Sequence, residues 1–160
     1  MTWGPHPTVR MFFYGTLKRG GQYHDLCRGG TLVSGRAEVD GLLYDLPEGY
    51  PALLVPPGKV LAVGSDDYLR DARDALVVSQ RALPMPDGAS VHGEVYEFGD
   101  PVRRLPILDT LEGFDPADPS SPYRRVLMPV RADDADAVTA WTYAAQSPRG
   151  TPLPGGNWPP

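Results

Sequence analysis

The stretch DPVRRLPILDTLEGF, residues 100–114, holds a carboxylate in an unexpected place. At about 100° per residue, a helix here brings Leu105, Leu108 and Glu112 within about 60° of one another. Glu112 then lies on the apolar stripe, while Asp109 and the arginines are expected elsewhere on the helix. An ionised carboxylate facing a core is costly unless it finds partners or a cavity. In a cavity it is suited to taking up and returning protons. The plainer alternative is a frayed last turn, with Glu112 reaching solvent beside Gly113.

Other side chains carry weaker signals. His24 and Cys27 fall on one possible short helix, the makings of a Cys–His nucleophilic pair. No third group is evident to orient them, and a solvated histidine beside a small buried thiol fits as well. Glu94 shares a strand face with His92, Tyr96 and Phe98, and an arginine partner would make it structural. Tyr123 and Tyr143 fall on a closing hairpin, where aromatics usually pack. His6, His24 and His92 are too dispersed for a metal site. GTLKRGG lacks the GK[ST] of a phosphate loop and the spacing of a dinucleotide fingerprint.

RMFFYGTLKRG, residues 10–20, raises a different question. An apolar, aromatic strand runs into Tyr14-Gly15-Thr16-Leu17 instead of an ordinary polar turn. A small-residue turn of this kind suits a backbone that must lie close to something other than protein.

The elements that position these groups are short. Strands are expected at Val9–Tyr14, Thr31–Asp40, Leu42–Leu46 and Tyr50–Val55, and again at Ser90–Phe98. A short helix is expected over Gln22–Arg28, ended by Gly29-Gly30. Residues Lys59–Gly88 form the least regular region; Ser65 with Asp66-Asp67 is an N-cap signal, and Leu69, Ala72 and Ala75-Leu76 follow at helical spacing. Asp100-Pro101 starts the helix Pro101–Glu112, which Gly113 stops. Tyr123–Arg131 and Asp136–Ala145 make a hairpin around ADDAD. The tail from Ser147 to Pro160 is rich in Pro and Gly and reads as an irregular surface segment. Many short strands against few helices predict an α+β domain, and a small barrel with flanking helices would remove exposed edges.

Bulk composition narrows the function. The 160 residues fit a single domain spanning 1–160, with a core of about 9–146 and the tail at 147–160. A hydrophobic content of 41% supports a core despite 18 Gly and 19 Pro. A net charge of -5 argues against a nucleic-acid partner. Cys27 is the only cysteine, so no internal disulfide forms and a reducing, cytoplasmic home is expected. MTWGPHPTVR lacks the apolar core of a secretory signal, and no apolar run approaches the ~20 residues that span a bilayer, so no membrane association is expected.

FFYGTLKRG, GEVYEF, LDTLEGF, YRRVLMPV and AWTYA, in that order from about Met11 to Ala145, resemble the γ-glutamylcyclotransferase-like (AIG2-like) family. The resemblance implies a small mixed β-barrel with flanking helices around a cavity. It implies that Tyr14, Gly15, Thr16 and Leu17 line that cavity, that Tyr123 faces it, and that Glu112 is the catalytic acid–base group. The implied reaction, a transferase or lyase step, cyclises a γ-glutamyl group on an amine or amino acid to 5-oxoproline and releases the amine. The implied partner is a small γ-glutamyl substrate, with no cofactor required. The alternative is a non-catalytic small-molecule binder of the same fold. Lys59–Gly88 is longer than the resemblance leads one to expect, and covering of the cavity mouth by it is a further expectation.

Overall fold

The computed structural model describes residues 7–79, 89–132 and 137–160. In chain order the elements are β1 (Val9–Phe13), β2 (Thr31–Asp40), β3 (Leu42–Asp45), β4 (Pro51–Leu54), β5 (Ala62–Val63), α1 (Tyr68–Ser79), β6 (Ser90–Phe98), α2 (Pro101–Glu112), β7 (Tyr123–Ala132), β8 (Ala137–Ala145) and β9 (Thr151–Pro152). His24–Cys27 forms a single 3-10 turn where a short helix was expected. The ADDAD loop and the end of the Lys59–Gly88 stretch lie partly outside the described residues.

β2, β6, β1, β8 and β7 follow one another in a sheet, and β2 also pairs with β7, which closes a barrel. The closing contact joins Ala37 to Ala132 and Glu38 to Arg131. β1 runs parallel to β8, with Met11 opposite Trp141, and antiparallel to β6. β2 serves two neighbours by bending at bulges between Leu32 and Ala37. The Ser34 hydroxyl holds that bend, donating to the Arg36 carbonyl at 2.8 Å and accepting from the Arg36 N–H at 3.2 Å. β5 extends the sheet beyond β7, and β3, β4 and β9 form a second, three-stranded sheet.

Strand alternation sorts the core into two clusters. Phe12 and Tyr14 join Val39, Val95 and Met128 in a cluster fed by all the barrel strands, which is the barrel interior. Val9, Met11 and Phe13 join Trp141, Leu105 and Leu108 on the face that the helices cover. β1 is therefore buried on both sides over Met11–Phe13, the apolar run that follows the ion-paired Arg10. Leu105 and Leu108 are fully buried, worth about 1.5–3 kcal/mol each. α2 stops where Gly113 turns left-handed at φ 72°, and the Phe114 N–H bonds back to the Asp109 carbonyl at 2.9 Å.

The Pro/Gly-rich tail is largely exposed and irregular, as expected, but it is tied down at several points. β9 pairs with β3, the Gly156 carbonyl accepts from the His92 N–H at 2.8 Å, and Leu153 and Trp158 pack on the interior cluster. Trp158 Nε1 donates to Asp45 at 3.0 Å, while its carbonyl accepts from Lys18 Nζ at 2.6 Å. A few large apolar side chains anchor a segment whose composition alone reads as loose.

Candidate active site

The end of β1, the 48–51 turn, the C-terminus of α2 and the starts of β7 and the end of β8 enclose a cavity of about 470 Å³. That volume lies in the usual range for small-molecule sites. Tyr14, Gly15, Thr16, Leu17, Glu112 and Tyr123 all line it, together with Tyr143 and Pro51. No described residue of 59–79 lines it, so α1 does not cover the mouth. Residues 80–88 lie outside the described residues.

Gly15 owes its identity to a protein neighbour. A Cβ there would sit 2.7 Å from Pro51 Cγ, so the turn packs directly on the proline ring. The expectation that its smallness serves a ligand alone needs that correction. The Pro51 carbonyl in turn accepts from the Tyr123 hydroxyl at 3.0 Å, joining turn, β4 and β7 in one wall. Within the turn, the Lys18 N–H bonds to the Gly15 carbonyl and the Tyr23 N–H to the Thr16 carbonyl. Among the described residues, no protein acceptor bonds the N–H groups of Gly15, Thr16 or Leu17.

Glu112 lines the same cavity from the C-terminus of α2. Among the described residues its carboxylate forms no hydrogen bond or ion pair, and it is half-buried against the cavity. Burial first, and the negative Asp109 second, push its carboxyl up to about 7. Placement at a helix C-terminus acts in the same direction, since the helix dipole is negative there. The phenols around it stay neutral. Tyr14 and Tyr123 are both raised, mainly by burial and then by Glu112. Tyr14 donates to the Tyr143 carbonyl at 2.6 Å, which ties β1 to β8.

Asp109 does not lie off the buried stripe. It is 3% exposed, and its oxygens accept from Arg125 Nε at 2.9 Å and Nη2 at 3.2 Å, and from the Tyr143 hydroxyl at 2.6 Å. Arg125, 0% exposed, reaches Asp71 of α1 at 3.0 Å as well. Asp71 also receives the N–H and hydroxyl of Ser65 at 2.8 Å. Sequence reasoning missed this cluster, although the signal existed: Asp109 follows Leu105 by one helical turn, and so shares its face.

The remaining candidates lie elsewhere. Glu94 accepts from the Arg19 N–H and Nε, both at 2.8 Å, outside the cavity, a structural pairing. His24 Nδ1 and Cys27 Sγ both donate to the Leu17 carbonyl, at 2.9 and 3.4 Å, rather than to each other. Burial pushes the Cys27 thiol up to about 12, away from nucleophilic use. Among the described residues, no group of three or more His, Cys, Asp or Glu side chains is gathered as a metal site would require, and no helix is long and apolar enough to cross a membrane.

A closed mixed barrel, with a carboxyl-bearing helix end and a glycine turn lining one cavity, defines a small-molecule α+β barrel. Comparison with known proteins narrows it. The family profile described as "Gamma-glutamyl cyclotransferase, AIG2-like" matches residues 11–75 and 69–160, and the chain belongs to that family. A curated relative, the gamma-L-glutamyl-butirosin B gamma-glutamyl cyclotransferase of Niallia circulans, is 42% identical over 45 residues. That match takes in 28% of this chain and 29% of the relative. Among solved structures, YkqA from Bacillus subtilis superposes with a TM-score of 0.61 at 18% identity, over 94% of this chain and 39% of its own. An AIG2-like protein from Mus musculus gives 0.57 at 24% identity, over 90% and 81%. These identities speak for the fold.

Proposed function

We propose that this chain is a γ-glutamylcyclotransferase that cyclises a γ-glutamyl amine to 5-oxoproline, with Glu112 as its proton carrier. One observation carries the reading: an unpaired carboxyl and a turn with three backbone N–H groups that bond no acceptor among the described residues line the same cavity of about 470 Å³. Backbone N–H groups in a turn suit the α-carboxylate of a γ-glutamyl group, or the oxyanion that forms at its γ-carbonyl. A carboxyl held at about 7 can accept a proton and give it back near neutral pH.

The steps follow from that arrangement. Glu112 takes a proton from the substrate α-ammonium. The freed amine attacks the γ-carbonyl carbon, and a new N–C bond closes the five-membered lactam. The tetrahedral carbon then expels the amine as the old C–N bond breaks; the leaving nitrogen takes the proton from Glu112 and then the second proton of the attacking nitrogen, so that a neutral lactam and an ammonium are released. Attack within one molecule already has favourable proximity, so the reaction needs no cofactor.

The lining also favours an amine over an amino acid as the released group. Two carboxylates, Glu48 and Glu112, line the cavity, and no Lys, Arg or His is among its described lining residues. Arg149 approaches from outside the lining but is committed to Glu48 at 2.7 Å, so a second substrate carboxylate would meet no free counter-charge among the described lining residues. The lone cysteine remains in keeping with a cytoplasmic setting. The test is incubation with paired γ-glutamyl amines and γ-glutamyl amino acids, with 5-oxoproline followed by mass spectrometry. Release from the amines, lost on the order of 10²–10⁴-fold in Glu112→Gln, is expected. Binding without release by the unaltered protein would leave a binder of the same fold.

A further inference from the structure

Behind Glu112 lies a cluster that the proposed reaction does not use directly. Arg125 from β7 is shared between Asp109 of α2 and Asp71 of α1, at 2.9 and 3.0 Å. All three side chains are sealed from solvent. One guanidinium against two carboxylates leaves a negative charge over, inside the protein. The Tyr143 hydroxyl bonds Asp109 at 2.6 Å, and the same ring lines the cavity, so the cluster abuts the site. Asp109 precedes Glu112 by three residues on α2, the spacing that makes helix side chains neighbours. Asp71 lines no part of the cavity.

We propose that the Asp109–Arg125–Asp71 cluster is the electrostatic back wall of the site, and that its surplus negative charge keeps the Glu112 carboxyl able to hold a proton. Asp109 and Asp71 are then positioning residues acting through Glu112, beyond any role in tying both helices to the barrel. The other groups facing Glu112 do not offset this charge. Tyr14 of the β1 turn, Tyr123 of β7 and Tyr143 of β8 are neutral phenols, and Glu48 at the rim is paired with the exposed Arg149 at 2.7 Å, which leaves no net charge there. In low dielectric, a like charge at close range strongly disfavours a second ionisation. The proposal's bearing on turnover rests on Glu112 being the proton carrier, but its charge effect is measurable in the resting protein.

The test is carboxyl carbon NMR of the ¹³C-Glu-labelled protein, with the Glu112 signal assigned by its absence in Glu112→Gln. The unaltered protein should show a midpoint well above the ordinary carboxylate range. Asp71→Asn retains an oxygen for Arg125 and Ser65 but removes the surplus charge, and should lower the midpoint by roughly half a pH unit or more. Asp109→Asn, nearer to Glu112, should lower it further. In turnover assays the acidic limb of kcat/KM should shift with each midpoint. A purely structural cluster would lower the melting temperature of Asp71→Asn and leave the midpoint unmoved, which overturns the proposal. An ordinary midpoint in the unaltered protein overturns it too, even if Asp109→Asn does not fold. Midpoints that shift as expected without 5-oxoproline release would uphold the charge effect and count against the proposed reaction alone.

Discussion

Removing the Glu112 charge should make the protein more stable, and only at higher pH. The folded protein holds this carboxyl up to about 7, against an ordinary 4.5. Between those values the unfolded chain releases the proton and the folded chain keeps it. Stability therefore declines as pH rises from about 4.5 to about 7, and stays lower above that. The full shift corresponds to about 3 kcal/mol, and the cavity-facing surface of Glu112 reduces it to about 1–3 kcal/mol. Glu112→Gln has no charge to create. It should match the unaltered protein near pH 4 and gain that amount by pH 8–9, raising the melting temperature by roughly 4–10 °C in a chain of this size. Thermal melts of both proteins across this pH range give the difference curve, in which groups common to both cancel. Parallel curves, with a constant offset from pH 4 to 9, would refute a raised Glu112. The same group sets activity in the opposite sense: turnover needs the ionised form, so kcat/KM should rise with pH through about 7 on a limb absent from the Gln variant.

Gly15→Ala places a methyl 2.7 Å from the Pro51 ring, which cannot swing aside. It should cost about 1–3 kcal/mol by thermal melting and raise KM more than it lowers kcat, through the displaced turn and the Tyr123 bond to Pro51. Cys27→Ser should leave turnover within a few-fold, because the thiol is buried, held protonated and tied to the Leu17 carbonyl. Complete loss of turnover with the fold intact would instead implicate the thiol.

Periodicity exposed the strands and the helix that carry the site. Val9–Phe13, Thr31–Asp40 and Ser90–Phe98 stand within a residue of their expected ends, as does the helix closed by Gly113. Glu112 was legible because a carboxylate on an apolar stripe conflicts with its neighbours, and that conflict marks a cavity. The Arg125 cluster was not, since its three members come from β7, α1 and α2, and ion pairing between elements leaves no local pattern. Capping shows the same limit. Asp100 reads as an N-cap, yet its carboxylate turns to Arg104 at 3.2 Å and makes no cap bond. For α1 the Ser65 signal was real but displaced: Asp67 accepts the Arg70 N–H at 3.1 Å, while the Ser65 hydroxyl serves Asp71. The composition of the tail showed its exposure but not its anchors, Leu153 and Trp158.

The parallel pairing of β1 with β8 governs how the chain is made. Tyr14 and Tyr143, joined by one hydrogen bond, stand 129 residues apart, so β1 waits for a strand that is made much later. Until β6 and β8 emerge, β1 exposes apolar side chains on both faces, with no partner for either edge. Until then Met11–Phe13 is an exposed apolar segment of the kind that makes incomplete chains prone to aggregate. Closure is a late, non-local event and correspondingly slow. The cavity shares that timing, because its walls come from β1 as well as from β7 and β8. A partial translation product that lacks β7 and β8 cannot form that cavity.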